Sequence, residues 1–332
     1  MRRMIGRIML VPAIILALAV FVSAATLTPV TVQYEGQPMD DSLKGAIVNK
    51  TVMIPWDVLT RDPSAGVKGS YNAVTGKIKL TRKNINLEMK KGNKKITRNR
   101  EMTFKSRIAP RYVTVDGVSR MMIPAKKVTE LLGLKYTYDS AERTVRLIPK
   151  KAGTVSTKNL KASVFLLTDT EEFVEIIGPL ARADYKKTGV LASVTIAQAI
   201  DESWSGTSLL AQKGNNLFGM KASLSGNRWK GSVWKRGSII KKKTKESRRG
   251  RTVTITAKFR KYPNVNKSIA DHSAYLKNAK KGKKKRYQGL TSTKSYHKQI
   301  SILMKGGYCT FKNYGSDLER IIIMYNLTRF DQ

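Results

Sequence analysis

From Leu191 to Ile200 the chain reads LASVTIAQAI, and nearly every side chain in it is apolar. A helix that is apolar around most of its circumference cannot lie on a surface, so other elements must wrap this stretch. Its exceptions form a line. Thr195, Gln198 and Glu202 are spaced i, i+3, i+7 and share one face, which puts a narrow polar stripe on a core helix. A carboxylate in that position is either satisfied by internal hydrogen bonds or held for chemistry. The remainder of the chain bears on which.

The length of 332 residues suffices for two domains, and 41% hydrophobic content is enough for packed cores. The chain opens MRRMIGR, continues through an uncharged apolar run from Ile8 to Val22 and reaches Ser23-Ala24-Ala25, the pattern of a secretory signal peptide with cleavage expected near Ala24. The alternative is an uncleaved anchor. Against it stand Pro12 and a run shorter than the ~20 residues a span needs. Cys309 is the single cysteine, so no intramolecular disulfide can form, and the residue reads as a small apolar side chain rather than a nucleophile.

The formal net charge is +40, or +37 once Arg2, Arg3 and Arg7 leave with the leader. For an exported protein so large a positive field points to an anionic polymer of the cell wall. Nucleic acid is not expected as a partner, since no zinc finger, helix-turn-helix or RNA-binding aromatic pair accompanies the charge. No obligate protein partner is evident. The expected location is secreted and cell-wall associated.

An internal repeat organises the first half. VMIPWDVL at Val52–Leu59 and MMIPAKKV at Met121–Val128 each lead through Ile-Pro into a short helix, and each is followed by a tyrosine, Tyr71 or Tyr138, and an alternating strand. The offset of about 67 to 69 residues argues for two similar strand, helix, hairpin units. This repeat, over roughly Val30 to Pro149, resembles the copper amine oxidase N-terminal-like domain. The segment 27–149 is therefore expected to be a small α+β accessory stalk. It offers no His or Cys cluster, both histidines, His272 and His297, lying far downstream, so no copper is expected in it.

Residues 150–163 are polar and without a periodic apolar face, and read as a linker. The second domain, 164–332, opens with the capping-box spacing of Thr168 to Glu171 and an apolar face of Phe173, Ile176, Ile177 and Leu180. Gly189 separates this helix from the apolar one. Trp229 to Lys258 alternates like a β-hairpin lobe, and helical periodicity returns at Ser268–Leu276, Tyr296–Met304 and Asp317–Tyr325. The expectation is α+β, a helical body with an inserted hairpin lobe and a cleft between the two.

Beyond Val190 the carboxylates are Asp201, Glu202, Glu246, Asp271, Asp317, Glu319 and Asp331. Glu202 ends the buried helix and Glu246 lies in the polar turn of the hairpin, so the two could face each other across a cleft, as glycoside hydrolysis requires. Burial raises the pKa of Glu202 and suits it to be the acid. Glu246, among Lys241, Lys242, Lys243, Lys245 and Arg248, stays ionised as base or stabiliser, or is an ordinary solvated charge. Asn215-Asn216-Leu217-Phe218-Gly219 reads as a turn that either binds an acetamido group or serves only as a turn. Asp271-His272 lacks a nucleophile motif and is expected in a capping or core role. The seven basic residues within Lys277–Arg286 read as a solvated loop.

TIAQAIDES, GTS at Gly206–Ser208, GNNLFGMK at Gly214–Lys221, FRKY at Phe259–Tyr262 and SIADHSAYL at Ser268–Leu276 together resemble the N-acetylglucosaminidases of glycoside hydrolase family 73. The resemblance implies a lysozyme-like fold and, as substrate, the glycan strand of peptidoglycan, cut after N-acetylglucosamine where it joins N-acetylmuramic acid. It implies Glu202 as general acid, Glu246 as the β-lobe carboxylate and Tyr262 as a tyrosine near the site. Gln198, Trp204, Asn215, Asn216 and Phe218 are expected to bind substrate. No metal or organic cofactor is implied. The chain departs from the family at Asp201, Trp204 and Ser205, where an apolar residue before the glutamate, then Gly and an aromatic after the Glu-Ser pair, are usual. The alternatives are accordingly a catalytically weakened wall-binding protein, or a muramidase or lytic transglycosylase.

Overall fold

In a computed structural model the chain is described over residues 27–150, 156–223, 229–248 and 251–332; the leader expected at 1–24 lies outside these residues. In the first half, Pro29–Tyr34 alternates buried and half-buried side chains, as a strand with one face on a core must. It pairs in parallel with Thr144–Pro149, Thr31 opposite Thr144. The two Ile-Pro segments pair with each other. Thr51–Pro55 and Val118–Pro124 run antiparallel, Ile54 opposite Ile123, and each delivers a helix, α1 (Val58–Arg61) and α2 (Ala125–Leu131).

The two copies then diverge. The second copy's hairpin, Leu134–Asp139 with Thr144–Pro149, returns to the shared sheet, whereas the first continues from Lys68–Asn72 into a five-stranded antiparallel meander ending at Met102–Lys105. The strands of 85–105, which have no counterpart in the second copy, make the difference. Ile54, Leu59, Ile78, Leu80, Leu87, Val128 and Leu147 share one core that joins both sheets and both helices.

The second half is a helical body. Leu160 and Ala162 already belong to its core with Phe165, so packing starts inside the stretch that reads as a polar linker. Residues 151–155 of that stretch lie outside the described residues. Helix α3 (Thr170–Thr188) has its capping box one residue later than expected: Asp169 accepts from Glu172 N, and the Glu172 side chain accepts from Asp169 N. Thr168 is instead buried, its hydroxyl donating to Phe165 O. Gly189 closes α3 at φ 79°, where a Cβ would meet Thr291.

Helix α4 (Ala192–Ser203) is the apolar stretch, and nine of its residues are buried. Its first amides have no intrahelical partners. They are satisfied from outside, Leu191 N by Gln299 Oε1 and Ser193 N by Asp331 Oδ1. Helices α5 (Leu209–Gly214), α6 (Val265–Asn278), α7 (Tyr296–Lys305) and α8 (Tyr314–Met324) complete the body. The hairpin Ile239–Arg248 and Arg251–Arg260 is inserted between α5 and α6. The architecture is α+β, as expected. The basic run is not simply a loop: it leaves α6 and forms a two-residue ladder of Lys280–Lys281 with Lys284–Lys285, all four lysines exposed.

The halves touch at the end of α4. Lys83 Nζ lies 2.8 Å from Glu172 Oε2, Thr170 Oγ1 bonds both Asn84 Oδ1 and Ser205 Oγ, and Glu101 accepts from Leu209 N and from Lys242 of the hairpin.

Candidate active site

Glu202 sits in the last turn of α4, where the polar stripe leaves the core. Tyr314, the first residue of α8, donates its hydroxyl to Glu202 Oε1 at 3.0 Å and accepts from Gln198 Nε2 at 3.1 Å. The stripe therefore has an occupant, and it joins two of its three members. Among the described residues, Gln198 Oε1 and Thr195 Oγ1 are buried without a hydrogen-bond partner. Burial is the dominant influence on Glu202 and pushes its pKa up to about 7; the Tyr314 hydroxyl pulls against it, and the neighbouring Asp201 charge adds to it. Asp201 is itself raised, first by burial and then by Asp317. A carboxyl still half protonated near neutrality can donate a proton, which an ordinary exposed glutamate cannot.

Behind Tyr314 lies an aromatic column. Its ring is nearly parallel to that of Tyr308, 5.7 Å away; the Tyr308 hydroxyl is 3.1 Å from His272 Nε2, and His272 stacks on Phe218 at 3.8 Å. His272 is fully buried, and desolvation pushes its pKa down to about 3. It is neutral at any ordinary pH and packs as an aromatic ring. Phe218, expected to meet substrate, is 4% exposed and forms the end of this column.

The other expected residues are placed as follows. Asn216 is 1% exposed; its amide donates to Met220 O and Arg260 O and accepts from Met220 N. Asn215, at φ 50°, accepts from Ala162 N and donates to Tyr262 O. These polar side chains hold backbone, which is the turn role, and tie α5 to the second strand of the hairpin. Tyr262 is 1% exposed and donates to Asp271 Oδ2 at 2.7 Å. Asp271 is fully buried and also accepts from Arg260 and Ser232, while the Arg260 guanidinium lies between the rings of Trp229 and Trp234. The tyrosine that reaches Glu202 is Tyr314, not Tyr262.

Glu246 lies in the strand Ile239–Arg248, opposite Val253, and not in the turn; its side chain lies outside the described residues. Trp204 caps α4 in the left-handed region at φ 50°, with its indole 44% exposed, and Ser205 (φ 50°) and Gly206 (φ 76°) continue the same conformation. A Cβ on Gly206 would run into the Phe165 ring. Cys309 is half-buried against the helical core.

Tyr314 is the partner of Glu202 that sequence reasoning missed. It stands at the head of an i, i+4, i+8 apolar face with Leu318 and Ile322, all buried, and so is indistinguishable from an ordinary core aromatic.

Residues 178–327 match the family model described as mannosyl-glycoprotein endo-beta-N-acetylglucosaminidase, and residues 33–157 match the copper amine oxidase N-terminal domain. The latter span contains neither His nor Cys, so its donor set does not fit copper. The chain is 32% identical over 166 residues to the exo-glucosaminidase LytG of Bacillus subtilis (strain 168), covering 50% of this chain and 55% of that protein. It is 36% identical to a probable N-acetylmuramidase of Lactococcus lactis subsp. lactis (strain IL1403), covering 49% and 35%. Among solved structures, the catalytic domain of the autolysin Auto from Listeria monocytogenes is 32% identical over 49% of this chain and 87% of that one, with a TM-score of 0.42. The chain thus spans about half or less of the length of these curated relatives.

Proposed function

Residues 178–327 belong to the glucosaminidase family, glycoside hydrolase family 73, and from that premise we propose that the chain hydrolyses the glycan strand of peptidoglycan, with Glu202 as general acid. The observation that carries the reading is a single one. On a helix of the matched region, a carboxyl is buried enough to titrate near 7 while remaining at the edge of the core. Tyr314 occupies Oε1 as a donor, which leaves Oε2 to carry the proton. Protonating the glycosidic oxygen lets it depart as a neutral hydroxyl while positive charge develops at the anomeric carbon. Glu246 is the candidate for activating water or stabilising that charge.

The bond proposed is the one following N-acetylglucosamine. The Lactococcus relative is named an N-acetylmuramidase, which supports a second reading in which the bond after muramic acid is cut. Identifying the new end separates them. Digestion of purified wall should release fragments with N-acetylglucosamine at the reducing end; muramic acid there supports the second reading, and anhydro ends a lytic transglycosylase.

The partner class is extended to anionic wall polymers. Supporting this, a cavity of about 450 Å³ in the first half is lined by Lys50, Lys105, Arg107, Lys126 and Lys127, with Glu130 the one carboxylate in its wall. None of the five cations is in an ion pair among the described residues. Such a cluster attracts phosphate or carboxylate chains and weakens with salt. The site of action that follows is extracellular, at the cell wall.

A further inference from the structure

Two cavities of about 380 and 360 Å³ lie where the halves of the chain meet, and both have Asn86, Asn99 and Trp204 in their walls. Each falls in the range of small-ligand sites, ~300–1,000 Å³. We infer that together they form a saccharide subsite in which Trp204 is the stacking platform and the N-terminal domain supplies the polar wall. The inference rests on the glycan-hydrolase reading above and assigns a substrate-binding role to a domain that the family model does not include.

Trp204 is the starting point. It caps the helix that carries Glu202, and it stands in the wall of both cavities with Asp201 beside it in the first. A bulky side chain at φ 50° is strained, by roughly 1–3 kcal/mol. That left-handed backbone directs the side chain into the cavity walls and leaves the residue 44% exposed, outside the adjoining core. Broad aromatic faces are suited to the apolar faces of pyranose rings, and the groups around this one supply what the sugar edges need.

Those groups come from the other domain. Asn84 lines the first cavity, and its Nδ2 is buried with no hydrogen-bond partner among the described residues, while its Oδ1 is held by Thr170. A buried donor without an acceptor costs about 1–3 kcal/mol, and a carbonyl or hydroxyl in the cavity would satisfy it. Asn86 is exposed beside it, and Lys79 reaches the second cavity. Asn99 plays a different part, accepting from Asn86 N and donating to Asn84 O, which fixes the two loops that carry these side chains. Amides and ammonium groups around an aromatic face match the acetamido and hydroxyl groups of an N-acetylated sugar, and the one carboxylate in each wall, Asp201 and Glu88, can accept from its hydroxyls. They do not match an apolar peptide, since the wall holds few apolar side chains.

The arrangement is held by bonds that span the halves. Lys83 with Glu172, and Glu101 with Leu209 N and Lys242, keep the meander against the starts of α3 and α5 and against the hairpin. A glycan lying on Trp204 would therefore also touch the first domain, and affinity should grow with strand length.

The test uses the full chain carrying Glu202→Gln, so that binding is measured apart from turnover. Calorimetric titration with soluble, uncrosslinked glycan fragments should give tighter binding for a tetrasaccharide than for a disaccharide. Adding Asn86→Ala and Lys79→Ala, both exposed in the parent, should weaken tetrasaccharide binding about tenfold, equivalent to ~1.4 kcal/mol. Trp204→Gly, which removes the indole and relaxes the backbone, should do at least as much. Unchanged tetrasaccharide affinity in both variants, or binding of free stem peptide or polyphosphate in place of glycan, overturns the subsite. Failure of the hydrolase reading is seen separately, as wild-type protein that binds glycan yet releases no reducing ends.

Discussion

The hydroxyl of Tyr314 lies 3.0 Å from Glu202 Oε1 across 112 residues of sequence, and among the described residues it is the one donor to a carboxyl that burial would otherwise push further up. A donor favours the ionised acid and burial opposes it, so the value near 7 is a balance of the two. Turnover should accordingly fall as pH rises through about 7, because the acid must be protonated to donate. In Tyr314→Phe the donor is gone, and the alkaline limb of the rate profile should move up by about one pH unit. A limb that stays in place would mean the hydrogen bond does not tune the acid.

Glu202→Gln should lower turnover by at least ~10²-fold with the fold intact. Stability gives an independent readout. The unfolded glutamate titrates near 4.5 and the folded one near 7; the stabilising contribution of its protonated form is therefore complete below the first value and is lost as pH rises through the second. Above pH 7 the glutamine variant should be more stable than wild type, by about 3 kcal/mol at most. Below pH 4.5 the two should converge. Parallel melting curves across that window would remove the case for a buried acid.

Gly178 lies in the middle of α3, where alanine would ordinarily stabilise a helix by ~1 kcal/mol. Here a Cβ would fall 2.3 Å from the Phe330 ring. Gly178→Ala is expected to destabilise by about 1–3 kcal/mol instead, seen in denaturant unfolding as a lower midpoint at unchanged slope. Coupling it with Phe330→Ala should cancel part of the clash.

Retention on anionic wall polymer should decline as salt is raised from 0.05 to 0.5 M or so, over which range the Debye length falls from ~14 to ~4 Å. Lys126→Glu with Lys127→Glu should abolish most of it at low salt while hydrolysis of soluble glycan is retained. If the double variant co-sediments like the parent, the cavity in the first half is not the polymer site.

The parts legible in the sequence are those with a local signal. The helix α4 declares itself by ten residues with almost no polar side chain, and the Ile-Pro copies by their own recurrence. What was not legible depends on distance. Tyr314 joins the stripe from a helix whose own pattern says only core, and Asn215 and Asn216 read equally as ligand groups or as a turn because nothing local reveals that Ala162, Tyr262 and Arg260 bond their amides. The capping box falls one residue later because Thr168 and Asp169 both fit the pattern, and burial of Thr168 decides between them. Trp204 stands out as a departure from the family, but its neighbours across the groove come from a domain more than a hundred residues upstream.

The parallel pairing of Pro29–Tyr34 with Thr144–Pro149 also sets an order in time. The first strand of the N-terminal half has one long edge that only the last strand can fill, and the two Ile-Pro copies likewise complete each other. Contacts so distant in sequence form late and slowly. The meander of 68–105 pairs only with itself, but the sheet built on the first strand cannot be completed until residue 149 is available to it.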